Sequence, residues 1–505
     1  MIKSKLLIFT SIILSSIIAF FIGFFISIKI AIIFIGILLV IFFHRAIKYR
    51  YLFMIYIVLL CFLPESARRF YPSFISIPDI FLIFIVLYWV MLRSSGRKPL
   101  FIYTPMNAAC GLFILSGVLS ILVGINYGAQ VNAAIFDFMA RVSYAIVFFI
   151  GASSLRKIKE QKYITEVIFF TGTIVAFLSI LQAFYGLRFI DLYYKILNFT
   201  GYTVYSDDFI IKHIWWSPNM PAKSFLPYYG PNSLAGFLLI VFILGLIPFL
   251  KKDGLIRPRI RFVFLGLVYA GLIMTFSWAI YLILILTVVI LLAFSKKAFG
   301  ISSLMRLFLV ILIIVTLLLP AVIVRSYRLL SSKTSLTEFF ASEYKGLSLE
   351  DKLDKLASLN RFERIKTSNI QSRLMELRRS LRQFINYPLL GTGFSVGFSI
   401  EEKPEPYKHY VGVSNMYLEI LNRMGILGLI IFLICICIYV KNITLVLLRP
   451  WSHKYILAGP AIAVLMIILY GMLDHTFLTT PALACMFWLF IGMGFAGKSE
   501  QKEHS

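Results

Sequence analysis

The sequence predicts an all-α, polytopic integral membrane protein with about 14 transmembrane helices and two long outer loops. Three observations predict it. Hydrophobic residues make up 60% of the 505 positions and charged residues only 14%. Apolar runs long enough to cross a bilayer recur along the whole chain. Lys and Arg collect in alternate hydrophilic gaps between those runs. Together these exclude a soluble globular domain.

In chain order the apolar runs fall near 6–28, 30–43, 51–63, 77–92, 107–123, 134–151, 164–187, 234–250, 262–276, 280–294, 304–324, 416–440, 456–472 and 481–496. Several are shorter than the roughly 20 residues that a perpendicular helix needs, so they cross with little margin. Lys3 and Lys5 give the basic start of a signal peptide, but the apolar stretch continues into the next run without a small-residue cleavage site. Two retained spans are therefore expected there in place of a removed leader.

Cation-rich gaps hold Arg45 and Lys48, Arg93 and Arg97, Arg156 to Lys162, Lys251 to Arg261, Lys296 and Lys297, and Lys441 to Lys454, whereas the turns around Gly124, Ser277 and Asp474 carry no Lys or Arg. The cation bias places the first set in the cytoplasm, with both termini. Two hydrophilic segments, 188–233 and 325–414, then lie outside. The expected organisation is 1–140, N-terminal spans; 141–324, central spans with the outer loop 188–233; 325–414, a large outer loop with amphipathic helices; and 415–505, C-terminal spans and a short tail. In the large loop Leu374, Leu377, Leu381 and Phe384 recur at helical spacing with Arg373, Arg378, Arg379 and Arg382 between them, the pattern of an amphipathic helix lying on a membrane or over a cavity.

The formal net charge of +26 would suggest nucleic acid in a soluble protein. Here the cations sit in the short gaps, which fits membrane topology, and no nucleic-acid partner is expected. All five cysteines lie inside apolar runs and imply no disulfide framework. No phosphate-binding glycine loop, zinc-spaced Cys/His set or internal repeat is present, so neither ATP-driven transport nor a metal site is expected, and no cofactor is called for.

The most specific stretch is 387–431, YPLLGTGFSVGFSIEEKPEPYKHYVGVSNMYLEILNRMGILGLII. A Pro-Leu-Leu-Gly-Thr-Gly turn built on Gly391 and Gly393, an Asn-x-Tyr-Leu helix start at Asn415, and Gly-Ile-Leu-Gly-Leu at Gly425 follow one another. This order resembles the way the O-antigen ligase and polymerase superfamily of bacterial membrane glycosyltransferases closes its large outer loop. Upstream, YYGPNSLAGFLL, with Gly230, Pro231, Asn232 and Ala235, resembles the family's entry into the span after its first outer loop. The resemblance covers roughly 141–496, with its specific part at 371–429.

The resemblance implies a bacterial inner-membrane enzyme that passes a glycan from a polyprenyl-pyrophosphate donor to a hydroxyl on a glycan or lipid acceptor. A flippase and a chain-length regulator are its implied neighbours. Arg373, at the start of the loop helix, is the implied phosphate ligand, since a guanidinium fork holds two oxygens of a departing pyrophosphate. Relatives commonly carry a His before the Asn, proposed as base; this chain has Ser414 there, and His409 is the nearest side chain of near-neutral pKa. At TFSWAIY relatives often place an Arg where Trp278 stands, which shifts phosphate binding to other cations such as Arg325 and Arg328. Gly391, Gly393, Asn415 and Asn232 complete the expected substrate site.

Each residue also has a plainer reading. Gly391 and Gly393 serve as turn glycines, Arg325 and Arg328 as interfacial anchors, His409 as an exposed loop histidine, and Trp278 as an aromatic-belt anchor. Asp474 and His475 form a further polar pair in the last outer turn. Asp137 and Arg141, four apart, form either an ion pair or a wall of the substrate cavity. Two rival functions stand beside the enzyme. One is a polysaccharide flippase or transporter, and the other an inactive scaffold of a glycan-export complex.

Overall fold

The structure is a computed structural model that describes residues 49–62, 77–94, 103–185, 224, 228, 230–251, 255–277, 279–288, 311, 314, 377, 380–398, 404–406, 415–448, 454–474, 477 and 480–503. Its helices are α1 (Tyr49–Phe62), α2 (Ile77–Ser94), α3 (Pro105–Asn126), α4 (Val131–Arg141), α5 (Ile146–Ser154), α6 (Ile158–Tyr185), α7 (Pro231–Lys251), α8 (Pro258–Met274), α9 (Ala279–Val288), α10 (Met416–Leu448), α11 (Lys454–Tyr470) and α12 (Pro481–Glu503). Among the described residues five helical stretches are long and apolar enough to cross a membrane: Pro105–Asn126, Val131–Ser154, Ile158–Tyr185, Pro231–Lys251 and Met416–Leu447. The expected runs at 6–28, 30–43 and nearly all of 304–324 lie outside the described residues.

Helix starts follow the local chemistry. Pro105 and Pro258 occupy the first turns of α3 and α8, where a missing N–H costs nothing. The run expected at 134–151 is not one helix. A short 3-10 turn, Ser143–Ala145, separates α4 from α5. A second departure, among the described residues, is a short antiparallel strand pair, β1 (Val396–Phe398) with β2 (Pro404–Pro406), inside the large loop.

The core is built around α7. Every residue from Ser233 to Ile247 is buried, the signature of a helix apolar on all faces and enclosed by others. α6, α8, α11 and α12 contact it. α12 lies along α5, where Gly492 allows close approach, since a Cβ there would stand 2.6 Å from the carbonyl of Phe148. Such small-residue crossings let helices pack where lipid supplies no hydrophobic drive. On the outside, Leu112, Leu115, Leu119 and Leu122 of α3 and Phe170, Ile174 and Phe177 of α6 stay exposed, as faces turned to lipid require.

Candidate active site

The site is organised by a break in α10. Gly425 adopts φ 68° and ψ −168°, outside helical geometry, so 416–424 and 426–448 are two helices separated by a kink. A break leaves orphan carbonyls on one side and orphan N–H groups on the other, which must find partners when buried. The Pro388–Gly393 turn supplies them. Thr392 N donates to Asn422 O at 2.8 Å and Gly393 N to Arg423 O at 3.1 Å, while Ile426 N donates to Pro388 O at 2.8 Å. The loop thus stitches the two half-helices through backbone groups.

This close backbone approach explains the glycines. Gly391 and Gly393 have φ of +67° and +83°, and a Cβ on either would collide with backbone, of Asn422 at the first and of Gly124 in α3 at the second. A Cβ on Gly425 would collide with the Leu389 carbonyl. Side chains lock the same joint: Ser380 and Asn422 hydrogen-bond each other, with Asn422 Nδ2 to Ser380 Oγ at 2.8 Å, and Gln383 Nε2 donates to Thr392 Oγ1 at 2.8 Å. Ser120 Oγ of α3 donates to Arg423 O at 2.7 Å. Tyr127, closing α3, meets Tyr387 edge-on at 5.2 Å. Burial, and next the charge of Tyr387, raise the Tyr127 phenol above its usual pKa.

The helical segment 380–386 before the turn presents Leu381 and Ile385 outward and Ser380 inward. Of the expected apolar stripe, Leu377 and Leu381 are exposed, as is Arg382, and Phe384 is half-buried; the seam with α10 is made by polar residues.

Below the turn lies a buried ring of four charges. Arg141 pairs with Asp137 on α4, Arg423 Nε lies 3.0 Å from Glu419 Oε1, Arg423 Nη1 lies 3.0 Å from Asp137 Oδ2, and Arg141 Nε lies 3.4 Å from the same Glu419 oxygen. Two acids and two bases balance, with side-chain exposures of 2–8%. Ser395 N donates to Asp137 Oδ2 at 3.0 Å, which anchors the loop into the ring.

A second polar node joins helix ends on the same side of the bundle as the stitch. Asn232 Nδ2 donates to Asp474 Oδ2 at 2.7 Å, Ser277 Oγ donates to Asn232 Oδ1 at 2.9 Å, and Tyr470 Oη donates to Asn232 O at 3.2 Å. Asn415 caps α10, accepting Tyr417 N at 2.9 Å and Leu418 N at 3.1 Å on Oδ1, and donates to Met472 O at 2.9 Å. Three separated segments, the entry to α7, the turn at Ser277 and the turn after α11, thus meet, and the start of α10 is tied to them. Among the described residues no three His, Cys, Asp or Glu converge where a metal could sit.

Of the expected site residues, Gly391, Gly393, Asn415 and Asn232 fall at this end of the bundle. Gly391 and Gly393 form the stitch, and the side-chain amides of Asn415 and Asn232 hold backbone and neighbouring side chains. Asp137 and Arg141 form the expected ion pair, enlarged by Glu419 and Arg423, which the sequence reading does not select although they carry the same four-residue spacing. Arg373, Arg325, Arg328, His409, Ser414, His475 and Trp278 lie outside the described residues.

Residues 262–433 match the family model described as O-antigen ligase. The matched segment runs from α8 through the large loop to just beyond the break at Gly425, so it contains the stitch and half of the charge ring. No curated protein matches the chain.

Proposed function

We propose, on the premise that the chain belongs to the O-antigen ligase superfamily, that it is a membrane glycosyltransferase moving a glycan from a polyprenyl-pyrophosphate donor to a hydroxyl acceptor. The observation that supports this most directly is the Pro388–Gly393 turn bonded into the break of α10. That joint fixes the end of the helical segment 380–386, inside the matched segment.

In this reading the acceptor oxygen attacks the anomeric carbon opposite the pyrophosphate. The new C–O bond forms as the bond to phosphate breaks, its electron pair leaves with the pyrophosphate, and configuration inverts. Arg373, with Arg325 and Arg328, neutralises the developing charge, and His409 takes the hydroxyl proton. The donor is already activated, so neither nucleotide sugar nor metal enters the step. Gly391, Gly393, Asn415 and Asn232 shape the floor. The reaction lies on the outer face of the bacterial inner membrane, with both termini cytoplasmic. Ser414 in the position of the family His favours polymerisation or related polysaccharide assembly over ligation to a lipid core. A flippase and a chain-length regulator then act before and beside it.

The test is transfer in nanodiscs with purified lipid-linked glycan. Release of polyprenyl pyrophosphate with a lengthened or ligated glycan of inverted anomeric configuration supports the proposal. A scaffold or transporter predicts intact donor.

A further inference from the structure

Past the Pro388–Gly393 turn the loop stays bonded to the bundle. Four successive backbone N–H groups each find a partner: Thr392 N on Asn422 O and Gly393 N on Arg423 O of α10, Phe394 N on Ser120 O of α3 at 3.2 Å, and Ser395 N on Asp137 Oδ2 of α4 at 3.0 Å. The first three acceptors are neutral carbonyls. The fourth is a buried carboxylate, and a hydrogen bond to an ionised acceptor is about twice as strong as a neutral one. The Phe394 ring is buried and meets Phe138, the neighbour of Asp137, edge-on at 6.2 Å. α4 therefore holds the end of this segment by a ring contact and a carboxylate together.

Ser395 takes φ 56°, one of two positive values among the described non-glycine residues. A Cβ makes that conformation strained, and such strain persists only where neighbouring contacts over-determine it. Ser395 is buried, with Asp137 on its N–H and β1 beginning at the next residue. β1 then pairs with β2 in a fixed register, Val396 opposite Pro406. The direction that the chain takes at Ser395 is thus carried across the strand pair to Pro406. Only Tyr407 and Lys408 separate Pro406 from His409 in the sequence.

We propose that Asp137 is a positioning residue of the transfer reaction: through the Ser395 N–H it sets where the strand pair leaves the bundle, and so where the chain leading to His409 starts. The inference rests on the reading of His409 as the proton acceptor. Asp137 touches no substrate in this scheme. It acts on the rate because a base held about 1 Å out of place can lose roughly 100-fold. Arg141 and Arg423, both paired with the Asp137 carboxylate, hold it in turn, so the charge ring serves the loop as well as the fold.

The experiment uses the full chain in nanodiscs with purified lipid-linked donor, at a temperature well below the Tm of each variant. Asp137→Ala and Ser395→Val are each made alone and together with His409→Ala. Ser395→Val leaves all four ring charges in place but brings in a β-branched residue, for which a positive φ is a genuine outlier. Each single variant should lower kcat roughly 10- to 100-fold and leave the donor KM within about twofold. Ser395→Gly, which accepts a positive φ freely, should be roughly tenfold faster than Ser395→Val. With His409→Ala already present, neither Asp137→Ala nor Ser395→Val should slow transfer further, since the group they aim is gone. A merely structural role predicts losses that multiply with that of His409→Ala, and this result would overturn the inference while leaving His409 as the base. So would a full rate in folded Asp137→Ala. Where Asp137→Ala does not fold, Ser395→Val against Ser395→Gly decides, and equal rates in those two overturn the inference. Full activity of His409→Ala removes the base reading and the inference together.

Discussion

Arg423 Nη1 stands 3.0 Å from Asp137 Oδ2, joining a half-helix of the matched segment to α4, far away in sequence. Through this contact the C-terminal end of 416–424 is held from the side by charge while the loop holds it from above by backbone hydrogen bonds. Removing one member of a buried ion group leaves the others uncompensated, at a cost of about 3–5 kcal/mol. Asp137→Asn and Arg423→Gln should each lower the unfolding temperature in detergent. The double variant should lose less than the sum, because the two act on one interaction. Additive losses in the cycle would show that the two residues are energetically independent.

The stitch makes a second prediction. Gly425→Ala puts a Cβ at φ 68° against the Leu389 carbonyl, so backbone strain of about 1–3 kcal/mol adds to the displacement of the turn. Gly266 in α8 is the control. A Cβ there meets nothing within 4 Å, and Gly266→Ala should be neutral or stabilise by up to about 1 kcal/mol through helix propensity. Thermal unfolding of both variants checks the contrast, and equal behaviour would remove the stitch from the argument.

Helix positions are legible in the sequence wherever length and apolarity act alone. The run expected at 77–92 becomes Ile77–Ser94, and that at 234–250 becomes Pro231–Lys251. The break at Gly425 is not legible, because the run across it is free of Pro and a lone Gly is tolerated inside a helix. It exists because a turn some thirty residues earlier supplies the hydrogen bonds the helix gives up, a tertiary cause that no periodicity carries. Asp137 and Arg141 show their pairing by spacing, and Glu419 and Arg423 carry the same spacing. What spacing cannot show is that the two pairs meet. Asn415 and Asn232 are legible as polar residues at helix starts, while their partners, Met472 O and Asp474, come from the turn after α11.

Topology follows from the cation bias and is open to labelling. In a variant stripped of its five cysteines, Lys345→Cys should react with an impermeant thiol reagent in intact cells, while Leu255→Cys, exposed at the cation-rich end, should react only after permeabilisation. Labelling of position 255 from outside would invert the proposed orientation and move the reaction to the other face.

Arg373→Ala should abolish transfer while leaving membrane insertion intact, with a loss on the order of 2–4 kcal/mol of transition-state stabilisation. Arg373→Lys should recover little, since a point charge does not reproduce a planar two-oxygen fork. The readout is the rate of polyprenyl pyrophosphate release from purified donor. Near-normal release by either variant would reduce Arg373 to a surface residue of the loop helix.

The acceptor proton makes the last prediction, at the point where the chain departs from the family it resembles. Asn415 caps α10 with its side-chain oxygen, and its amide hydrogens are directed to Met472, so the residue beside Ser414 holds the helix start in place and has no basic group to offer. A serine hydroxyl is a poor base at neutral pH, which leaves His409, six residues before that cap, as the nearest side chain of suitable pKa. His409→Ala should then lower the transfer rate roughly 100-fold or more. Ser414→His in that background should restore part of it, because it places an imidazole next to the capped helix start, where relatives carry theirs. The two single variants and the double variant, assayed with one purified donor across pH 5 to 9, separate the cases. A base of near-neutral pKa gives a rate that rises through its titration and shifts when the imidazole moves to position 414. If His409→Ala is fully active with an unchanged pH profile, the proton leaves without that side chain, and stabilisation of the departing pyrophosphate by the loop arginines has to carry the rate.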